Sequence, residues 1–146
     1  MKRLISTSAP AAALLIRLMV GAVFVSEGIQ KFLFPANVGA GRFAKIGFPS
    51  PELVAPFVGS FEIACGTLLL LGLLTRLAAI PLIVVMVTAI ATTKIPILMN
   101  DGFWKMAHEA RTDWSMLLGL IFSLLVGAGR WSFDALLSRG INKTNL

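Results

Sequence analysis

Glu62 is a carboxylate in the middle of a nearly continuous apolar run, residues 59–81, whose only other charge is Arg76. An acid in that setting is costly in hydrocarbon and needs both a partner and a reason to be there. Lys31, Lys94 and Arg17 are its candidate partners, and Glu27, His108 and Asp113 are further ionisable groups in or beside the apolar stretches. Their types suit one kind of chemistry. Glu62, Glu27 and Lys94 are candidate catalytic groups that polarise a small bound molecule or move its protons, and Lys31, Arg17, Asp113 and His108 are candidates for holding it. The same charges would serve as structural ion pairs that fix helix register, because removing one member of a buried pair leaves a costly orphan.

The elements that must position these groups are apolar helices. The chain has 146 residues, of which 57% are hydrophobic and only 14% charged, far too little polar surface for a soluble domain of this length. Cutting it at its charges leaves stretches near 11–34, 52–75, 77–99 and 113–131, each close to the ~20 residues an α-helix needs to cross a bilayer. The expectation is an all-α, polytopic membrane four-helix bundle forming one domain over residues 1–146, with interfacial loops at 35–51 and 100–112.

Within the first helix, Arg17, Gly21, Phe24, Glu27, Gly28 and Lys31 fall in an arc of about 120°, leaving the remaining surface to Leu, Ile, Met and Val for lipid. Glu27 and Lys31 stand i,i+4 with the acid first, the better order for a local ion pair, with Lys31 reaching for water. Gly59, Glu62 and Gly66 share a face of the second helix, where small residues admit a neighbouring backbone. Thr75 and Arg76 read as a tight turn into the third helix, which contains Pro81 and runs to Lys94 and Pro96. On the fourth, Asp113, Met116, Gly119, Ser123, Gly127 and Arg130 share a face, with Trp114 and Trp131 at the ends as interfacial anchors. The tail after Ser138 reads as frayed.

The net charge of +6 comes from cations at helix ends and loops rather than from a cluster, so it orients the chain in a membrane and does not point to nucleic acid. Lys2, Arg3, Arg76, Arg130, Arg139 and Lys143 on one side, against Arg42, Lys45, Lys105 and Arg111 offset by acids on the other, predict both termini in the cytoplasm of a bacterial inner membrane. Glu27, Lys31, Lys94 and Asp113 then converge on the outer half, Glu62 lies near the midplane and Arg17 stands apart toward the inner face. Arg17 and the lack of a cleavage site before Glu27 favour an uncleaved first helix over a signal peptide.

Much is excluded. One histidine and one cysteine, Cys65, make no haem–copper centre, no thiol pair and no convincing metal ligand set. There is no dinucleotide fingerprint and no phosphate-binding loop. Electrons for any redox chemistry must come from a partner or a diffusible quinone.

The pattern Arg17-x3-Gly21-x2-Phe24-x3-Gly28-x2-Lys31 resembles the first helix of the DoxX family of small four-helix membrane proteins. Gly47-Phe48-Pro49, the segment from Glu62 and Gly66 through Gly72-Leu-Leu-Thr75-Arg76-Leu-Ala-Ala, and Gly127-Ala-Gly129-Arg130-Trp131-Ser132-x-Asp134 are similar to further family segments, so the resemblance covers roughly residues 12–136. The chain differs where Arg111-Thr-Asp113-Trp114 leads into the last helix, a stretch expected to be more acidic and to contain tyrosine. The resemblance implies an accessory subunit of a membrane redox system, related to quinol oxidase and thiosulfate:quinone oxidoreductase subunits, with a quinone or small hydrophobic substrate in the outer half of the bundle. The expected partners are the lipid bilayer, quinone, and a redox subunit or further copies of the chain. Two other readings stand beside it: a scaffold recruiting a soluble partner through the outer loops, and transport of protons or small solutes.

Overall fold

The computed structural model describes residues 10–143, which are mostly helical, with no strand among them. Helix α1 (Ala13–Leu33) stops ahead of Pro35, whose ring disfavours helical backbone at the residue before it. A six-residue helix, α2 (Ala40–Lys45), follows inside the predicted loop. Helix α3 (Pro51–Leu71) starts with proline at its first position, where the missing N–H costs nothing. It ends at Gly72, φ 66°, in a Schellman turn with Leu73 N–H on Leu68 O at 2.9 Å and Gly72 N–H on Leu69 O at 3.0 Å.

Helix α4 (Thr75–Ala89) continues through a π-helical turn (Ile90–Lys94) into α5 (Ile95–Asp101). The π turn sits just before Pro96, which supplies no N–H to the helical ladder. Three short steps then complete the chain: α6 (Phe103–Glu109), α7 (Arg111–Val126) and α8 (Phe133–Lys143).

These bounds correct several expectations. Thr75 and Arg76 begin α4, and the turn is residues 72–74. Most of 100–112 is helix rather than loop. The last apolar helix ends at Val126, so Arg130 and Trp131 lie beyond it, and helix α8 runs on past Ser138. Lys2 and Arg3 lie outside the described residues.

Three spans are long and apolar enough to cross a membrane: Ala13–Leu33, Pro51–Leu71 and the continuous Thr75–Asp101. Helix α7, with 16 residues, packs beside them. Large apolar side chains such as Leu15, Leu53, Val84 and Leu118 point outward at 60% exposure or more. In water such a surface would aggregate. In lipid it is the ordinary exterior, and the chain is an all-α membrane protein.

The most extensive packing is between α1 and α3. They run antiparallel, since Gly21 meets Gly66 and Gly28 meets Gly59. A Cβ at Gly28 would come within 2.7 Å of Gly59 O, and one at Gly66 within 3.1 Å of Gly21 O, so the backbones touch directly. Helix α4 pairs with α7, and α7 closes back on α1, giving a ring in the order α1, α3, α4, α7. The core they share, including Val20, Phe24, Leu69, Leu82, Met86, Met116 and Leu120, lies toward the end where α3 turns into α4. Beyond Met86 the third span has no buried residue until its end at Asp101. The far half of that helix stands away from its neighbours.

Candidate functional site

That separation leaves a cavity of about 740 Å³ between α1, α3, α4 and α7, with α2 beside it. Its walls are mainly aromatic and aliphatic. Phe43 and Phe48 of the α2 segment approach with ring centroids 5.3 Å apart, and Phe57 and Phe61 of α3 with centroids 4.9 Å apart. Phe24 and the methionines Met86 and Met116 supply the buried floor.

Glu62 faces this cavity, and its partner is Lys31. Nζ of Lys31 lies 2.7 Å from Glu62 Oε2, and the two side chains are 8% and 4% exposed. At that distance the ammonium and the carboxylate form a direct, charge-assisted contact. The glycine contacts explain how the pair forms. They bring α1 and α3 close enough for a lysine on one to reach a glutamate on the other without approaching solvent. The local ion pair expected between Glu27 and Lys31 is therefore not made. Of Glu27, Lys31 reaches only the backbone carbonyl, at 3.5 Å, and its ammonium turns inward to Glu62 instead of snorkelling to water.

Glu27 lines the cavity with no cation at ion-pair distance among the described residues. Lys94, read from sequence as a second candidate partner for Glu62, pairs with Asp113 at 3.2 Å. That contact ties the π turn to the start of α7, and Asp113 forms part of the cavity wall. His108 does not reach the cavity. It is exposed on α6 with its ring against the Arg111 guanidinium. No group of three or more metal-ligating side chains occurs among the described residues.

Arg17 is far from all of these. It is 1% exposed, at the end where α3 turns into α4, and donates through Nη2 to Trp131 O and through Nη1 to Leu69 O at 3.4 Å. Gly72 makes room for it, since a Cβ there would lie 1.8 Å from Nη1. Asp134 of α8 completes that end by accepting the Leu74 and Thr75 N–H groups at 2.8 and 3.0 Å. Leu74 holds a left-handed φ of 49° without being glycine, and this cap fixes it there.

Sequence reasoning missed two contributors. Arg42, assigned to an interfacial loop, lines the cavity. So do Thr88, Thr92 and Thr93, whose signal was visible in retrospect: threonines grouped ahead of a helix proline, in the stretch where the π turn forms. Thr92 and Thr93 donate their hydroxyls to Thr88 O and Ala89 O at 2.8 and 2.7 Å, so their free lone pairs are what a ligand would meet.

The DoxX family model matches residues 12–95, more than half the chain and the part that contains α1, α3, α4 and the ion pair. The chain belongs to the DoxX family. It is 54% identical over 143 residues to the uncharacterized membrane protein Rv3486 of Mycobacterium tuberculosis, covering 94% of this chain and 88% of that one. It is 27% identical over 135 residues to CatD of Bacillus subtilis, provisionally named an oxidoreductase, covering 91% and 92%. No solved structure matches it.

Proposed function

We propose that this DoxX-family protein is an accessory subunit of a membrane redox system, and that its cavity binds a quinone or a similarly small hydrophobic molecule. The observation that carries the reading is the buried Lys31–Glu62 pair placed on the wall of an apolar cavity rather than inside packed core. Structural ion pairs are closed off by their neighbours. This one faces 740 Å³ of space, a volume within the range of ligand sites. The provisional oxidoreductase name of CatD points the same way.

The residues fit a quinone head group. The Lys31 ammonium can donate to a ring carbonyl, and the aromatic walls at Phe57 and Phe61 accept the apolar remainder of the molecule. Glu62 and Glu27 both line the cavity, so two carboxylates stand beside the bound ring, where its protons are exchanged. Met86, Met116 and Phe24 exclude water beneath the pair, which strengthens every polar contact made there. A quinone supplies two-electron redox chemistry when bound, with electrons exchanged through a partner redox subunit. On the charge bias, the cavity lies in the outer half of a bacterial inner membrane with both termini cytoplasmic.

Native mass spectrometry of the protein released from mild detergent tests this. The wild type is expected to carry one quinone-mass adduct per chain, and Glu62→Gln is expected to lose it while keeping its helical circular dichroism. Wild-type protein that carries no quinone and binds none when it is supplied would end the reading.

A further inference from the structure

Four seams separate the long helices, and two are shut at the level of the cavity. Between α1 and α3 the glycine backbones touch. Between α4 and α7 the Lys94–Asp113 contact spans the gap at 3.2 Å. Between α1 and α7 a Cβ at Gly119 would fall 2.6 Å from Val20 Cγ2, which closes that seam below the cavity; level with it, Val23 and Thr112 line the cavity and are exposed, but Thr112 is polar and Val23, at 36%, is the least exposed of the apolar rim residues.

The seam between α3 and α4 differs. Phe57, Phe61 and Val84 all line the cavity, yet they are 64%, 42% and 60% exposed. Residues that belong both to the inner wall and to the outer surface mark an aperture. These three are large and apolar, and both helices carrying them are spans long and apolar enough to cross the membrane. The aperture therefore faces acyl chains and not water. Its polar end is inside, at Lys31 and Glu62, and its apolar end is outside.

We infer that the cavity opens sideways into the bilayer between α3 and α4, past Phe57, Phe61 and Val84, and that its ligand is a ring-headed molecule with a long apolar tail that stays in this opening. The inference rests on the proposed ligand-binding reading and adds the route and the tail. It makes the site load from the membrane, with Phe57 and Phe61 as specificity-determining residues for the tail and Lys31 and Glu62 for the head.

Two photoreactive benzoquinones test it in proteoliposomes, one with a diazirine on the ring and one with a diazirine at the end of a decyl tail. The ring probe is expected to label segments around Lys31 and Glu62, and the tail probe to label Phe57, Phe61 or Val84. Tail labelling at Val23 or Thr112, with ring labelling intact, would overturn the aperture and leave the binding site standing. Absence of ring labelling would overturn both. The variant Val84→Trp, which narrows the opening, supplies a second measurement. It is expected to weaken the decyl-tailed quinone at least tenfold while a tailless benzoquinone changes less than twofold. Equal loss of both ligands, or of neither, would also reject the aperture.

Discussion

The molecule buries charge at both of its ends, and the two ends differ in what the charge touches. Arg17 is held by backbone carbonyls, Leu69 O and Trp131 O, in a niche that Gly72 keeps open for it. Asp134 beside it is spent on two backbone N–H groups. At the other end Lys31 meets another side chain, and the pair borders empty space. A charge tied to backbone cannot be replaced without orphaning that backbone. A charge tied to a second side chain can be removed together with it. The first arrangement is architecture, and the second is free to serve a ligand.

The contrast can be broken by substitution. The largest effect is expected at Arg17: Arg17→Leu leaves Trp131 O without its donor and should lower stability by about 2–3 kcal/mol, read as a shift of the unfolding midpoint in a denaturing-detergent titration. At the opposite end, the double variant Lys31→Met/Glu62→Gln should change stability by only about 1 kcal/mol, because replacing both members of a buried pair is often neutral. The same variant should lose quinone in native mass spectrometry. A double variant as unstable as Arg17→Leu would erase the distinction between the ends. The smallest effect is expected for Lys94→Gln, whose pair with Asp113 is 12% and 21% exposed. It should cost about 1 kcal/mol or less in the same titration; a larger loss would mean that the π turn depends on that contact.

How much of this was readable from residue order depends on distance along the chain. The apolar spans, the glycine faces of α1 and α3 and the isolation of Arg17 follow from composition and a 3.6-residue period, and the structure has them. The partner of Lys31 followed only as one of two: Lys31 stood among the candidate partners of Glu62, and that pair is the one made. Glu27, one turn away, competed with Glu62 for Lys31 because spacing shows neighbours on one helix and says nothing of how close a second helix comes. That approach is set by glycines whose contact appears only once α1 and α3 are paired. The π turn was hidden for a related reason: Pro96 announces a disturbance, but which carbonyls lose their donors depends on how the ladder re-forms around it. Arg42 was misplaced because α2 folds back onto α3, a packing that no periodicity in six residues could reveal.

The bond from Arg17 to Trp131 spans 114 residues of sequence. A ribosome delivers the first helix long before the last turn, and domains and segments are generally handled in that order. Until Trp131 and Asp134 emerge, the guanidinium of Arg17 and the N–H groups of Leu74 and Thr75 lack their final partners. The closing segment therefore completes the burial of a charge placed in the first helix: a chain cut short before residue 131 leaves the Arg17 guanidinium without the Trp131 carbonyl.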